Sequence, residues 1–350
     1  MSKFSWYWNE IQTYLLPLQG NPCRQITGAL FGTFIELPSA PEASALENCT
    51  TYHSSKTHNR LFCSTCGSKT LVHIHHNADG RERDTWFAYS GAIERGEGDE
   101  QPNTIKAETN DFVSDTVDGG LAPYMTRLGD RSIPAYALHP PEPPLSQSHL
   151  TQMSTPTNST PPSPSDRLKA QCRCESITLS ILPASHTATQ TLDRFIPTNP
   201  TTSTKINDKY QARTCTCRSC RLAFGQPLTT HIYLPPAQIL NPTTDQPLAY
   251  AHAAGTAEGQ AANAGLERLK HYWSSEHACR SFCGRCGSTV FYWNENRKAI
   301  VNVAAGILRA EEGALARRWV WWQPGVCSWK DEVVDGEVLG AYLGAGDVNG

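Results

Sequence analysis

Short apolar runs broken by glycine, proline and cysteine set the rhythm of this chain, and few stretches sustain a helical period. The run I-T-G-A-L-F-G-T-F-I-E-L from Ile26 to Leu37 is rich in β-branched and aromatic residues and stops at Pro38, which predicts a strand or strand pair. Residues 39–60 are polar and turn-rich. F-C-S-T-C-G-S-K-T-L-V-H-I-H at 62–75 reads as a Cys-x-x-Cys turn feeding a strand, and Trp86 to Ile93 predicts another. Thr109 to Met125 is mixed in character, and residues 1–20 are aromatic without a period. The same vocabulary returns later. Q-C-R-C-E-S-I-T-L-S-I at 171–181 alternates as a strand would, which predicts Cys172 and Cys174 on one face of it. A polar loop over 186–208 precedes a second strand that closes at Pro235, and residues 241–265 have the composition of a surface insertion. F-C-G-R-C-G-S-T-V-F-Y-W at 282–293 is again a turn feeding a strand. The segment 311–322 is expected to start as a short helix and end in buried aromatics, Trp319, Trp321 and Trp322.

Between 131 and 167 the pattern stops, replaced by P-P-E-P-P and S-T-P-T-N-S-T-P-P-S-P-S. Too little apolar surface is available there to offset ordering entropy, so a disordered linker is expected, with a reach of roughly 30 Å. The chain then divides into a first domain at 1–130, the linker at 131–167, a second domain at 168–335 and a tail at 336–350. The expected class is mainly β.

An internal repeat is visible. F-C-S-T-C-G-S at 62–68 matches F-C-G-R-C-G-S at 282–288. Residues 23–38 lie on 220–235 without a gap, pairing Cys23 with Cys220, Arg24 with Arg221, Gly28 with Gly225 and Thr33 with Thr230. In that register Leu18 and Gly20 stand where the later half has Cys215 and Cys217.

Composition then narrows the chemistry. Net charge is −3 over 350 residues with lysine and arginine scattered, which argues against a nucleic-acid or anionic-membrane footprint. The N-terminal residues lack the layout of a secretory signal, and no apolar run is long enough to span a bilayer. Thirteen cysteines is a high count, and nine fall in C-x-C, C-x-C-x-x-C or C-x-x-C groups. Such groups read as metal ligands in a reducing compartment, so a cytoplasmic location is expected, with the nucleus as the other option.

In the later half the thiols separate into two sets. Cys172, Cys174, Cys283 and Cys286 supply the four ligands of a closed tetrahedral zinc site. Cys215, Cys217 and Cys220, packed into C-T-C-R-S-C, leave a fourth position open, as a catalytic zinc does. The competing reading is that both sets are structural, with Cys279 or Cys327 closing the second. Two zinc ions per chain are expected, both in the second domain. In the first half Cys63 and Cys66 keep their turn without evident partners, and Cys49, His53 or His58 are the available substitutes. His73, His75 and His76 read as a solvated strand face in the absence of a nearby carboxylate. Arg218, Arg221 and Arg285, next to the ligands in sequence, are candidate anion contacts.

The order C-x-C, C-x-C-x-x-C-R, F-C-x-x-C-G-S resembles the glutathione-dependent formaldehyde-activating (CENP-V/GFA) family over roughly 168–335, with all seven defining cysteines present. The first half, about 15–130, looks like a degenerate second copy. The resemblance implies zinc-centred β-tent domains in tandem, a structural zinc on Cys172, Cys174, Cys283 and Cys286, and a catalytic zinc on Cys215, Cys217 and Cys220. It implies a carbon–sulfur lyase of the S-(hydroxymethyl)glutathione synthase kind, whose partners are a small-molecule thiol and an aldehyde. The alternative is a zinc-stabilised protein-binding module.

Overall fold

The computed structural model describes residues 14–15, 18–78, 81–93, 106–156, 160–184, 195–199, 202–206 and 208–344. The fold is mainly β, with several sheets. Part of the expected loop at 186–208 and residues 345–350 of the expected tail lie outside the described residues.

The stretch expected as a strand from Ile26 instead opens with helix α1 (Asn21–Thr27), carrying proline in its first turn. Gly28, at φ 85°, ends the helix, its N–H bonding Arg24 O at 2.8 Å. A short apolar run does not by itself distinguish helix from strand, and here the punctuation at Pro22 and Gly28 decided. Strand β1 (Phe34–Glu36) follows, then β2 (Cys49–His53), β3 (His58–Cys63), β4 (Lys69–Ala78) and β5 (Arg81–Tyr89). These form one sheet in the order β1-β5-β4-β3-β2.

The stretch expected to be an unstructured link, 131–167, carries helix α2 (Gln147–Ser154), N-capped by Ser146. Ile133, Ala135 and Leu150 are buried, the last two in a cluster with Val113 and Ala122. Arg317 donates to the carbonyl of Ser154 at 2.6 Å and so ties α2 to the later half. A few well-spaced apolar residues among the prolines supplied the anchorage that composition concealed.

The later half opens with β6 (Leu168–Gln171) and β7 (Thr178–Ile181). Cys172 and Cys174 lie in the turn between them, not on an alternating strand, with Glu175 at φ 63° turning the chain. Next come β8 (Tyr210–Cys215), α3 (Arg218–Phe224), β9 (Thr229–Leu234), β10 (Ile239–Asn241), β11 (Leu269–Ser275), β12 (Ala278–Cys283), β13 (Thr289–Asn294), β14 (Val301–Ala304) and β15 (Val320–Ser328). Strands β6, β7 and β10 share a small sheet with Gln246–Pro247, and seven strands form the main sheet in the order β11-β12-β13-β14-β9-β8-β15. Residues 311–319 are turns instead of the expected helix, with Gly313 and Ala316 at positive φ. Trp319 and Trp322 are buried as expected, the Trp322 indole donating to Leu315 O at 2.8 Å, whereas Trp321 is only partly buried. Beyond residue 335, α4 (Gly336–Leu343) buries Val338, Leu339 and Tyr342.

The two larger sheets agree in detail. Strands β2-β3-β4-β5-β1 follow the same order as β11-β12-β13-β14-β9. Arg60 pairs with Val72 as Arg280 pairs with Tyr292, and both hairpins shift register one step later, before Phe62 and before Phe282. The bridge between Leu18 and Gly32 stands where Cys215 pairs with Thr229.

The halves dock by exchanging like contacts. Arg24 Nη1 donates to the carbonyls of Gly306 and Leu308 at 3.1 and 3.0 Å, and Arg221 Nη1 to those of Gly91 and Ile93 at 2.6 and 2.7 Å. Gly306 N bonds Gly28 O, and Gly91 N bonds Gly225 O, at 2.7 and 3.0 Å. Ala29, Leu30, Phe31 and Ile35 belong to the same buried cluster as the later half's core. A Cβ added at Gly306 would meet Ala29 O at 2.1 Å, and one at Gly91 would meet Gln226 N at 2.2 Å. Gly306→Ala is therefore expected to cost about 1–3 kcal/mol, read as a lower urea midpoint at unchanged slope. An unchanged midpoint would mean that this seam contributes nothing to stability.

Candidate active site

Strand alternation divides the later sheet into a buried face and a polar one. Ala212, Ile232, Phe291 and Val303 point into the core. On the other face the ladder sets Arg280 opposite Tyr292, Tyr292 opposite Asn302, Asn302 opposite Tyr233, and Arg213 opposite His231. Cys215 ends β8 on this same face.

From there the chain turns into α3 with Cys217 as N-cap, its sulfur accepting from Cys220 N at 3.4 Å. The helix has a cap because the third ligand must fold back over the first. The sulfurs of Cys215, Cys217 and Cys220 all lie within 4.8 Å of one another, with Cys215 and Cys220 buried. Among the described residues no further Cys, His, Asp or Glu joins this group. Cys327 sits one strand away, across from Thr214, and Cys279 is buried on β12; neither closes the site. The Cys220 thiol is held well below its ordinary range, first by hydrogen bonds from Cys215 and Cys217, then by the charge of Arg280. Arg280, itself buried, places Nη1 3.5 Å from the Cys220 sulfur and its guanidinium 4.9 Å from the centre of the Tyr292 ring. His231, also buried, stands against Cys220 and helps to hold its thiol low.

The second cluster is closed. Cys172 and Cys174 come from the β6–β7 turn, and Cys283 and Cys286 from the β12–β13 turn, where Gly287 at φ 75° folds the backbone round. Their four sulfurs lie within 4.8 Å of one another, Cys172 and Cys174 at 3.6 Å and Cys174 and Cys283 at 3.5 Å. Sulfurs at 2.3 Å from one tetrahedral ion would be about 3.8 Å apart, so the arrangement fits zinc closely. Backbone N–H groups of Ile177 and Arg285 point at the sulfurs of Cys172 and Cys283, each at 3.4 Å. Hydrogen bonding between the packed thiols, first from Cys172, drives Cys174 far below its ordinary range. Either cluster could hold a metal ion.

Sequence reasoning named these seven cysteines and the structure brings them together in the two expected sets. Of the three arginines expected as anion contacts, Arg221 is spent on docking the first half, while Arg218 and Arg285 are exposed beside the clusters. The cations on the polar face are Arg213, Arg280 and Arg297, the last with its guanidinium 5.3–5.8 Å from the ring centres of Phe195, Tyr233 and Tyr292. Only strand parity relative to Cys215 could have found the first two.

The first half keeps fragments. Arg60 Nη2 lies 3.5 Å from the Cys23 sulfur, as Arg280 does from Cys220, but Leu18 and Gly20 stand in place of two cysteines. A hydrogen bond from Cys66 brings the Cys63 thiol down to about 5, and Cys49 sits opposite Cys63 in the β2–β3 ladder. Among the described residues these thiols form no three-ligand group with Cys49, His53 or His58. No helix of the described residues is long and apolar enough to cross a membrane.

With this geometry in hand, comparison with known proteins gives one match. Residues 201–324 match the family model of the glutathione-dependent formaldehyde-activating enzymes. The matched stretch takes in the open trio and the Cys283/Cys286 turn and excludes the Cys172/Cys174 turn and the first half. No curated protein and no solved structure matches the chain.

Proposed function

We propose that the chain is a zinc-dependent carbon–sulfur lyase-type enzyme that adds a thiol, glutathione in the first instance, to formaldehyde or a related small aldehyde. The observation that carries the reading is the three-sulfur group that no fourth Cys, His, Asp or Glu among the described residues joins within 4.8 Å, set at the end of a sheet face that presents three arginines. Cys215, Cys217 and Cys220 would hold the catalytic zinc, and Cys172, Cys174, Cys283 and Cys286 the structural one, giving two per chain. A zinc ion with one open position ionises a thiol that binds there.

The residues around the trio fit an anionic thiol. Arg280, at the sulfur of Cys220, offsets the negative charge that thiolates accumulate. Arg213 and Arg297, flanking Tyr233, offer guanidinium groups to the carboxylates of a peptide such as glutathione. Holding thiol and aldehyde side by side converts an encounter of two solutes into a local step. The carbon–sulfur bond forms while the thiol proton passes to the aldehyde oxygen. The first half, in this reading, is a second copy of the domain that has lost its cysteine-bound zinc, and the free cysteines belong to a reducing compartment such as the cytoplasm.

Exchange measurements on glutathione and formaldehyde, with and without the protein, test the proposal. Faster interconversion with S-(hydroxymethyl)glutathione is expected. An unchanged rate from protein carrying both zinc ions would refute it in favour of a zinc-stabilised protein-binding module.

A further inference from the structure

Outside the two cysteine clusters, one other set of donors converges among the described residues: His73, His75 and Asp84. Alternation along β4 puts the two histidines on one face, and the β4–β5 ladder sets Asp84 directly across from His75. The carboxylate whose absence favoured a merely solvated strand face is thus supplied by the neighbouring strand. Asp84 Oδ1 lies 2.9 Å from His75 Nδ1 and 3.3 Å from His73 Nε2. Nitrogen and oxygen ligands at 2.0–2.1 Å from a tetrahedral zinc ion stand about 3.3 Å apart, so the spacing is already that of a coordination shell.

We propose that His73 Nε2, His75 Nδ1 and the Asp84 carboxylate form a third metal site, for a borderline divalent ion such as zinc, on the first half's sheet.

The surroundings of this group point the same way. His73 Nε2 is buried, with the Asp84 carboxylate as its neighbour, so an ion between them would be shielded from water. The His73 ring is held in place, stacked on Trp86 at 4.0 Å and 6°. On the far side, His75 Nε2 lies 3.0 Å from the Asn59 amide, whose other end meets His53 Nδ1 at 2.6 Å. Metal-bound imidazoles are oriented by such partners, and the amide, turned end for end, accepts the proton that His75 carries on Nε2 when Nδ1 binds metal. The site owes nothing to the cysteines and stands or falls apart from the activity proposed above.

The test uses the full chain dialysed against micromolar free zinc, with elemental analysis of bound metal. Wild-type protein should hold one more zinc per chain than Asp84→Asn or His75→Ala, two variants at half-exposed positions whose circular dichroism should match wild type. With cobalt(II) in place of zinc, the difference spectrum between wild type and variant should show d–d bands without thiolate charge transfer. Equal metal content in all three proteins would overturn the proposal, as would a difference spectrum dominated by thiolate bands.

Discussion

Cys283→Ser should unfold the later half of the chain, whereas Cys66→Ser, the same change in the matching turn of the first half, should cost no more than about 1 kcal/mol. The two turns are close relatives in sequence and shape, with Gly67 and Gly287 at φ 73° and 75°. Their surroundings differ. Cys283 is fully buried with Cys286 of its own turn and two sulfurs brought from a distant one, so a metal there clips β6–β7 to β12–β13. Structural zinc contributes on the order of 10–16 kcal/mol in finger peptides, as large as the net stability of a whole domain at about 5–15 kcal/mol. Cys66 is half-buried, with Cys63 and Ser68 beside it, and joins no three-ligand group among the described residues. Near-UV circular dichroism and zinc content of the two variants decide the matter. A Cys283→Ser protein with native spectra and one zinc fewer would show that the cluster does not hold the fold together.

The second large effect is on turnover. Cys217→Ser should lower glutathione–formaldehyde exchange by about 100-fold or more, equivalent to about 2.7 kcal/mol of barrier, while leaving the fold intact. Cys217 is the N-cap of α3, a position serine fills well, so the substitution removes a metal ligand without removing a helix cap. Arg297→Ala provides the contrast. Losing a guanidinium that meets a substrate carboxylate should raise KM for glutathione about tenfold with kcat nearly unchanged. Full turnover in Cys217→Ser would remove the trio from the chemistry, and an unchanged KM in Arg297→Ala would remove the polar face from substrate binding.

The seven cysteines were legible because ligand spacing is a local property: C-x-C-x-x-C brings three sulfurs together whatever the rest of the chain does. The strands that feed or follow them were legible for the same reason. What escaped was set by register. Arg280 reads as an ordinary surface arginine until the β12–β13 ladder turns it toward Cys220, and Asp84 has no visible link to His73 until β4 and β5 fold on each other. The expectation that Cys172 and Cys174 share a strand face failed because the backbone turns at Glu175, yet the sulfurs meet all the same. The stretch 131–167 misled through composition, since proline content obscured Ile133, Ala135 and Leu150 as buried anchors.

Arg221 sits in the helix that Cys217 caps and that carries Cys220, and its guanidinium grips the carbonyls of Gly91 and Ile93 in the first half. The half poorer in cysteine ligands is therefore a buttress for the half that has them all. What this arginine requires of the first half is a backbone shape at Gly91 and Ile93, not a set of metal ligands. Trimming the protein to its cysteine-rich portion would leave a working helix without its abutment.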